Sequence, residues 1–304
     1  MSEGLVWLNG EILDFASAKV SVEDRGFQFG DGVYEVVRVY RGKPFALMEH
    51  LERLRRSAGE IELSLPLSLE ELARVAEDLV ARAGIAEAEL YIQVTRGAAR
   101  RNHLFPEDAR PTLVMTVRSV RLIPPELREH GVRALTVPDE RWARCDIKSI
   151  CLLPNVLAKE RAHRAGAFEA LFVRDGLVME GTSSNVFAWT GEALVTPIAD
   201  HRILAGITRG FVLQLAQQLG YRTEERDLPL AELRSAREVL IAGTVTELLA
   251  VIAVDGEPIG SGVPGPVFRQ LYTAYRQMIA DRVLESPGIG ARGSSGWASG
   301  TQSA

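Results

Sequence analysis

The order of predicted strands and helices is the feature that most limits how this chain of 304 residues can fold. An Asn-Gly pair at Asn9 and Gly10 separates two short runs, which predicts a hairpin of strands over 6–8 and 11–13. Patterning along the rest of the first half predicts strands over 33–40, 90–95 and 112–117 and helices over 47–61 and 69–83. Helices lie between runs of strands rather than in strict β-α alternation. This argues against a doubly wound sheet and favours the α+β class.

Local signals mark where several of these elements begin and end. Ser68 and Glu71 form a capping box that predicts the start of the second helix, and Gly84 predicts its end. The glycine-rich stretch 25–32 is predicted to be a loop that leads into the strand over 33–40.

The second half of the chain continues the mixture of strands and helices. Strands are predicted over 170–173, 186–189, 239–241 and 248–254, and helices over 153–165, 208–219 and 266–284. A Pro-Pro pair at 124–125 predicts a connection between two domains. We therefore expect an N-terminal α+β domain over 1–123, a linker over 124–131, a C-terminal domain over 132–285 and, from its Gly, Ser and Ala content, a disordered tail over 286–304.

Composition excludes several classes of function. The chain is 46% hydrophobic and 25% charged, which is ordinary for a globular protein, and its net charge of -5 argues against a nucleic-acid partner. No window approaches 18 uninterrupted apolar residues, and residues 1–4 lack a basic export signal, so we expect a cytoplasmic protein without a membrane anchor. The spacing of Cys145 and Cys151 matches no zinc motif or disulfide framework, so we expect no metal and reduced thiols.

Lysine is scarce in this chain. Of 35 Lys+Arg residues only four are lysines, at 19, 43, 148 and 159. Lys148 lies between the apolar residues Ile147 and Ile150, and only lysine provides an amine that can lose its proton and attack a carbonyl. Lys148 is therefore a candidate Schiff-base lysine. The alternative is a half-buried strand lysine whose ammonium group reaches water.

Two stretches of small residues predict an anion site. Gly206-Ile207-Thr208 precedes an amphipathic helix, and the free N–H groups at a helix start bind phosphate monoesters well. The turn 242–246 could add the hydroxyl of Thr244 to the same site. Each stretch could instead be simple helix capping or a plain turn. The sequence contains neither Gly-x-x-x-x-Gly-Lys-Ser/Thr nor Gly-x-Gly-x-x-Gly. A nucleoside triphosphate or a dinucleotide is therefore not the expected anion.

Two further groups suggest chemistry on amino acids. Glu180 precedes a glycine and three small polar residues, and a carboxylate there could face a pyridinium nitrogen, although an exposed loop glutamate is the simpler alternative. Tyr34, assigned to the glycine-rich loop, could bind a substrate carboxylate together with Arg101 and His103. A phosphate site, a lysine, a partner for a pyridine nitrogen and a carboxylate trap together predict pyridoxal 5′-phosphate chemistry.

The sequence resembles the fold-type IV pyridoxal-phosphate enzymes, and among them the D-amino acid aminotransferases. The resemblance lies in the stretches 23–35, 93–97, 141–142, 144–149, 180–187 and 206–209. It implies a two-domain α+β fold with a smaller N-terminal α/β domain and a larger, β-barrel-like C-terminal domain of mixed strands with helices.

The resemblance also implies roles for individual residues. Lys148 would bind the cofactor covalently, and Glu180 would pair with its pyridine nitrogen. The phosphate would be held by Arg53, Ile207, Thr208 and Thr244. The substrate carboxylate would be held by Tyr34, with Arg101 and His103 reaching in from a neighbouring subunit, which implies a homodimer.

The implied reaction is ping-pong transamination between D-amino acids, such as D-alanine and D-glutamate, and 2-oxo acids, such as pyruvate and 2-oxoglutarate. Some residues depart from the D-specific pattern: 152–157 is more similar to the L-branched-chain aminotransferases, and Thr182 and Val245 replace other expected residues. The alternatives are an L-branched-chain aminotransferase, an R-selective amine transaminase, an aminodeoxychorismate lyase and a catalytically inactive cofactor binder. An arginine-histidine pair argues against an amine substrate, which carries no carboxylate.

Overall fold

The computed structural model describes residues 4–108 and 110–285, so the tail predicted over 286–304 lies outside the described residues. The strands are β1 Gly4–Leu8, β2 Glu11–Leu13, β3 Gly32–Tyr40, β4 Lys43–Pro44, β5 Ala88–Thr95, β6 Thr112–Ser119, β7 Val132–Pro138, β8 Glu169–Arg174, β9 Leu177–Gly181, β10 Asn185–Trp189, β11 Leu194–Thr196, β12 Thr223–Glu225, β13 Leu228–Pro229, β14 Glu238–Gly243, β15 Glu247–Val254 and β16 Glu257–Pro258. The helices are α1 Arg25–Phe29, α2 Leu47–Glu60, α3 Leu69–Ala83, α4 Pro125–His130, α5 Leu153–Arg164, α6 Ile207–Gln218, α7 Leu230–Ser235 and α8 Pro266–Glu285.

The first half of the chain forms an antiparallel sheet of six strands in the order β2-β1-β6-β5-β3-β4. Helices α2 and α3 cover one face and bury alternate residues of β3, β5 and β6. The predicted capping box is confirmed: Ser68 Oγ accepts from the Glu71 amide at 3.2 Å, and Glu71 Oε2 accepts from the Ser68 amide at 2.9 Å. Gly84 ends the helix at φ +64°, as predicted.

The second half forms a ten-stranded sheet in the order β12-β11-β10-β14-β15-β7-β8-β9-β13, with β16 paired to β15. The sheet is mixed, since β7 runs parallel to β8 and to β15 while most other pairs are antiparallel. Helices α6 and α8 pack on one face, and a second apolar cluster lies on the other. Two sheets with helices packed against them confirm the predicted α+β class.

Two predictions about local structure need correction. Part of the glycine-rich stretch is not a loop: it forms the one-turn helix α1, because Asp24 Oδ1 accepts from the Gly26 amide at 2.8 Å and Gly30 ends it at φ +69°. Tyr34 lies on β3, within the strand predicted over 33–40, and not on the glycine-rich stretch to which its phenol was assigned. The connection after Pro124 contains α4, which begins with Pro125, a residue that suits a first helical turn because its missing N–H has no partner there.

The segment around Lys148 is held against the first sheet by backbone hydrogen bonds. The Tyr34 amide donates to the Lys148 carbonyl at 3.0 Å, and the Ile150 amide donates to the Gly32 carbonyl at 3.1 Å. The Lys148 amide in turn donates to Ser57 Oγ at 3.2 Å. The lysine is therefore fixed at the junction of the two sheets. Among the described residues, no helix combines the length and apolar character needed to cross a membrane.

Candidate active site

A cavity of about 500 Å³ lies between the two sheets. This volume is within the range usual for small-molecule sites. Seven of the nine predicted site residues line it: Tyr34, Arg53, Lys148, Glu180, Ile207, Thr208 and Thr244. Residues separated by as many as 210 positions in the chain, Tyr34 and Thr244, thus meet in one concave site.

The amine of Lys148 projects beside an aromatic ring. Its Nζ lies 4.3 Å from the centroid of the Tyr34 ring, a cation-π contact. Within residues 4–108 and 110–285, no carboxylate lies within ion-pair distance of this Nζ. Because the Lys148 amine is not paired with a carboxylate among these residues, it can react with a group that enters the cavity.

Glu180 is buried at the end of β9 and does not lie on an exposed loop. Its Oε1 pairs with Arg141 Nη1, and its Oε2 accepts from Asn185 Nδ2 at 3.2 Å and from the Leu204 amide at 3.1 Å. Burial raises the pKa of the Glu180 carboxyl, and the Arg141 guanidinium opposes that rise. A cationic group entering the cavity beside Glu180 would favour the carboxylate form further.

Arg141 supports Glu180 from behind, and the sequence analysis gave this arginine no role of its own. Arg141 is 6% exposed at its side chain, pairs with Asp139 at 2.8 Å and lies 4.3 Å over the Phe172 ring. Burial works against the charged guanidinium, but these carboxylates raise the pKa of Arg141. The available signal was Asp139, a carboxylate two positions earlier that directly follows β7. Its pairing with Glu180, 39 positions away, had no local signal.

Arg53 reaches the cavity from α2 and is held by a buried carboxylate. Glu35, with no exposed surface, accepts from Arg53 Nε at 2.7 Å and Nη2 at 2.8 Å, and pairs with His50 Nδ1 at 2.7 Å. Burial acts to raise the pKa of Glu35, but Arg53 and His50 lower it to about 2. Arg53 Nη1 also donates to the Ala205 carbonyl at 2.9 Å. One N–H on each terminal nitrogen remains for an anion.

Glu35 and His50 were also missed by the sequence analysis, although Glu35 carried a usable signal. It lies on β3 in alternation with Val33 and Val37, which belong to the core face. A glutamate on the core face of a strand is rare unless it is paired. That position therefore indicated a buried ion pair, but not which arginine completes it.

The two segments that predicted an anion site, the start of α6 and the turn after β14, meet at the cavity. Gly206 is the residue before α6, and no side chain caps the first N–H groups of this helix. Thr208 and Thr244 line the cavity next to these groups. Uncapped N–H groups, two hydroxyls and the Arg53 guanidinium form a site that suits a phosphate monoester.

We expect Gly206→Ala to destabilise the protein by about 2 kcal/mol. A β-carbon at Gly206 would lie 2.1 Å from Asn185 Oδ1, so Asn185 would have to move away from Glu180. The backbone φ of -68° suits alanine, so the close contact alone would cause the loss. Urea unfolding measures it.

Gly210→Ala is the matched control in the same helix, since nothing lies within 4 Å of its β-carbon position. It should stabilise the protein by about 0.5–1 kcal/mol, because alanine loses less backbone entropy than glycine in a helix. Equal stability of Gly206→Ala and the wild type would show that Asn185 can give way.

Arg101 and His103, in contrast, do not line the cavity of their own chain. Both are exposed and pack against Phe29: the Arg101 guanidinium lies 4.4 Å from the ring centroid, and the His103 ring centroid lies 5.5 Å away. Arg25 Nη1 fixes their loop by donating to the Asn102 carbonyl at 2.5 Å. A single chain thus brings Tyr34 into the site but not the other two residues of the predicted carboxylate trap.

Comparison with known proteins gives a consistent result. The family model for amino-transferase class IV matches residues 32–254. The D-alanine aminotransferase of Bacillus licheniformis is 43% identical over 92% of this chain and 99% of its own, and that of Staphylococcus haemolyticus is 43% identical over 91% and 98%.

Solved structures agree with this match. The branched-chain amino acid aminotransferase of Escherichia coli has a TM-score of 0.85, 26% identity, and coverage of 92% of this chain and 95% of its own. A T.th. branched-chain amino acid aminotransferase, complexed with N-(5'-phosphopyridoxyl)-L-glutamate, has a TM-score of 0.84, 28% identity, and coverage of 93% and 96%. The family model spans more than half of the chain, and the curated relatives match over more than nine-tenths of it. The chain is therefore an aminotransferase and belongs to the class IV family.

Proposed function

We propose that this aminotransferase binds pyridoxal 5′-phosphate in the cavity and transfers amino groups between D-amino acids and 2-oxo acids. The observation that carries the proposal is that Lys148, buried Glu180 and the uncapped start of α6 line one cavity. A solved relative of similar fold is complexed with a phosphopyridoxyl compound.

The residues of this chain suit that cofactor at three points. The N–H groups at Ile207 and Thr208, with Thr244 and Arg53, would hold the phosphate. Glu180 would hold a proton on the pyridine nitrogen, because its oxygens are already aligned by Arg141 and Asn185. When bound, pyridoxal phosphate supplies a carbonyl that condenses with amines and a ring that accepts electrons.

Lys148 has two roles in the proposed reaction. Its amine would hold the cofactor carbonyl covalently in the resting enzyme. When it is not joined to the cofactor, the same amine would take the proton from the substrate Cα and deliver it to the cofactor carbon that carried the carbonyl. The backbone hydrogen bonds to β3 fix the backbone of Lys148 beside the cavity, and the Tyr34 ring packs beside its Nζ, so the amine would be held in position for both roles.

We infer that the substrate carboxylate is held by two chains of a homodimer. Tyr34 would contribute from one chain, while Arg101 and His103 would reach in from the other. The exposed position of this pair, on a loop fixed by Arg25, supports the inference. So does an exposed apolar stretch at the start of α5 beside the cavity, where Leu153 is 67% exposed and Val156 is 60% exposed.

The choice of D-amino acids is supported by the curated relatives, which are named D-alanine aminotransferases and match over more than nine-tenths of this chain. We propose D-alanine and 2-oxoglutarate as substrates, with pyruvate and D-glutamate as products. A second candidate is L-branched-chain transamination. It is favoured by the segment 152–157, which is more similar to the L-branched-chain enzymes and from which Leu152, Pro154 and Asn155 line the cavity. The solved relatives of similar fold also favour it.

A single-turnover experiment tests the proposal. Full-length enzyme loaded with cofactor is mixed with D-alanine or L-leucine and no 2-oxo acid. We expect D-alanine to convert the cofactor to its amine form and release one pyruvate per site, at least about a hundredfold faster than L-leucine reacts. Arg101→Met should raise the D-alanine concentration needed for half-maximal rate, whereas Arg100→Met, at an exposed neighbour, should not.

Faster conversion by L-leucine would replace the D-specific function with the branched-chain one. No conversion by either amino acid, with cofactor bound, would reject both. An unchanged D-alanine requirement in Arg101→Met would reject the carboxylate trap while leaving the cofactor assignment in place.

A further inference from the structure

We propose that Glu247 is a positioning residue for the phosphate site, holding the turn 243–246 against the cavity. The inference rests on the proposed function, in which this turn contributes Thr244 to the cofactor phosphate. Residues 242–246 all line the cavity, but Glu247 does not. Any effect of Glu247 on a ligand must therefore pass through the turn.

The backbone of Glu247 adopts a conformation that favours glycine. Strands β14 and β15 pair from Gly243 to Glu247, which leaves a three-residue loop between them. In such hairpins a left-handed residue commonly follows a type I turn, and glycine is preferred at the left-handed position. Glu247 has φ +57°, so its β-carbon makes the conformation less favourable than it would be for glycine. The side chain must provide compensating contacts.

Those contacts are charged and buried. Glu247 is 3% exposed, and its Oε1 accepts from Tyr40 Oη at 2.8 Å and from Arg276 Nη1 at 2.5 Å. Its Oε2 forms an ion pair with Arg128 Nη2 at 2.9 Å. Tyr40 lies on β3 of the first sheet, Arg276 on α8 and Arg128 on α4. One carboxylate therefore joins the turn to three separate elements.

Arg128 and α8 extend this network to both parts of the phosphate site. Arg128 Nη1 donates to the carbonyls of Thr246 at 3.3 Å and Leu248 at 2.9 Å, on either side of Glu247. Tyr275, the neighbour of Arg276 on α8, belongs to the buried apolar cluster against which Ile207 packs at the start of α6. The loss of the Glu247 charge would leave Arg128 without its buried carboxylate and would release the turn.

The test compares two ligands that differ only in the phosphate. Full-length protein freed of cofactor is titrated with pyridoxal 5′-phosphate and with pyridoxal. We expect Glu247→Gln to weaken the affinity for pyridoxal phosphate about tenfold and the affinity for pyridoxal less than about twofold. Glu247→Gly should show the same loss despite its relaxed backbone. Tyr40→Phe, which removes one hydrogen bond, should show a loss of about threefold.

Glu62 provides the matched control, since it is also left-handed at φ +52° but is exposed and does not line the cavity. Glu62→Gln and Glu62→Gly should leave both affinities unchanged. Equal weakening of both ligands by Glu247→Gln, or no weakening, would overturn the positioning role. So would wild-type affinity in Glu247→Gly. A wild type that binds the two ligands equally would instead reject the phosphate site itself.

Discussion

Replacement of Lys148 by alanine is expected to reduce the rate of transamination by at least about 10³-fold. The reason is that the cavity holds only this lysine amine among the described residues that line it. Visible absorption of the covalently held cofactor should disappear, although Arg53, Glu180 and the start of α6 should still retain cofactor after desalting. Absorbance spectra, cofactor content and single-turnover rates with D-alanine measure the three effects.

Lys159→Ala is the matched control. Lys159 lies on α5, forms an ion pair with Glu169 and does not line the cavity. It should keep the absorption and at least about half of the activity. A small primary amine added to Lys148→Ala should restore part of the rate, since it replaces the missing base. A Lys148→Ala enzyme with wild-type rate would contradict the assignment.

Replacement of Glu180 by glutamine should lower the maximal rate about a hundredfold, with little change in cofactor content. An uncharged amide cannot hold a proton on the pyridine nitrogen, and Arg141 would lose a buried partner. The variant should therefore also unfold at lower urea concentration. Steady-state kinetics with D-alanine and 2-oxoglutarate, together with urea unfolding, separate these effects.

Glu180→Asp keeps the negative charge, so its maximal rate should be higher than that of Glu180→Gln. A purely structural role for Glu180 would not require this difference. Glu140→Gln, at a 63% exposed side chain in the same half of the chain, controls for a general loss of negative charge. A maximal rate within about threefold of wild type in Glu180→Gln would remove Glu180 from the mechanism.

The sequence by itself determined the parts of this protein that depend on neighbouring residues. The Asn-Gly hairpin, the capping box at Ser68 and the start of α6 after Gly206 were all predicted correctly. Each depends on hydrogen bonds and backbone angles within a few positions of one another. Lys148 and Glu180 were also singled out from the sequence, by a scarce lysine and an unusual run of small residues; both line the cavity, and their roles stay predictions.

Only the tertiary structure decided which side chains meet. The pairs Glu35–Arg53, Arg141–Glu180 and Tyr40–Glu247 join residues 18, 39 and 207 positions apart. No periodicity specifies such pairs, because they form when two sheets bury their apolar faces and close a cavity between them. The same packing left Arg101 and His103 outside the cavity of their own chain, so their role stays a prediction. Short-range hydrogen bonding thus sets the elements, whereas burial of distant apolar surfaces sets the site.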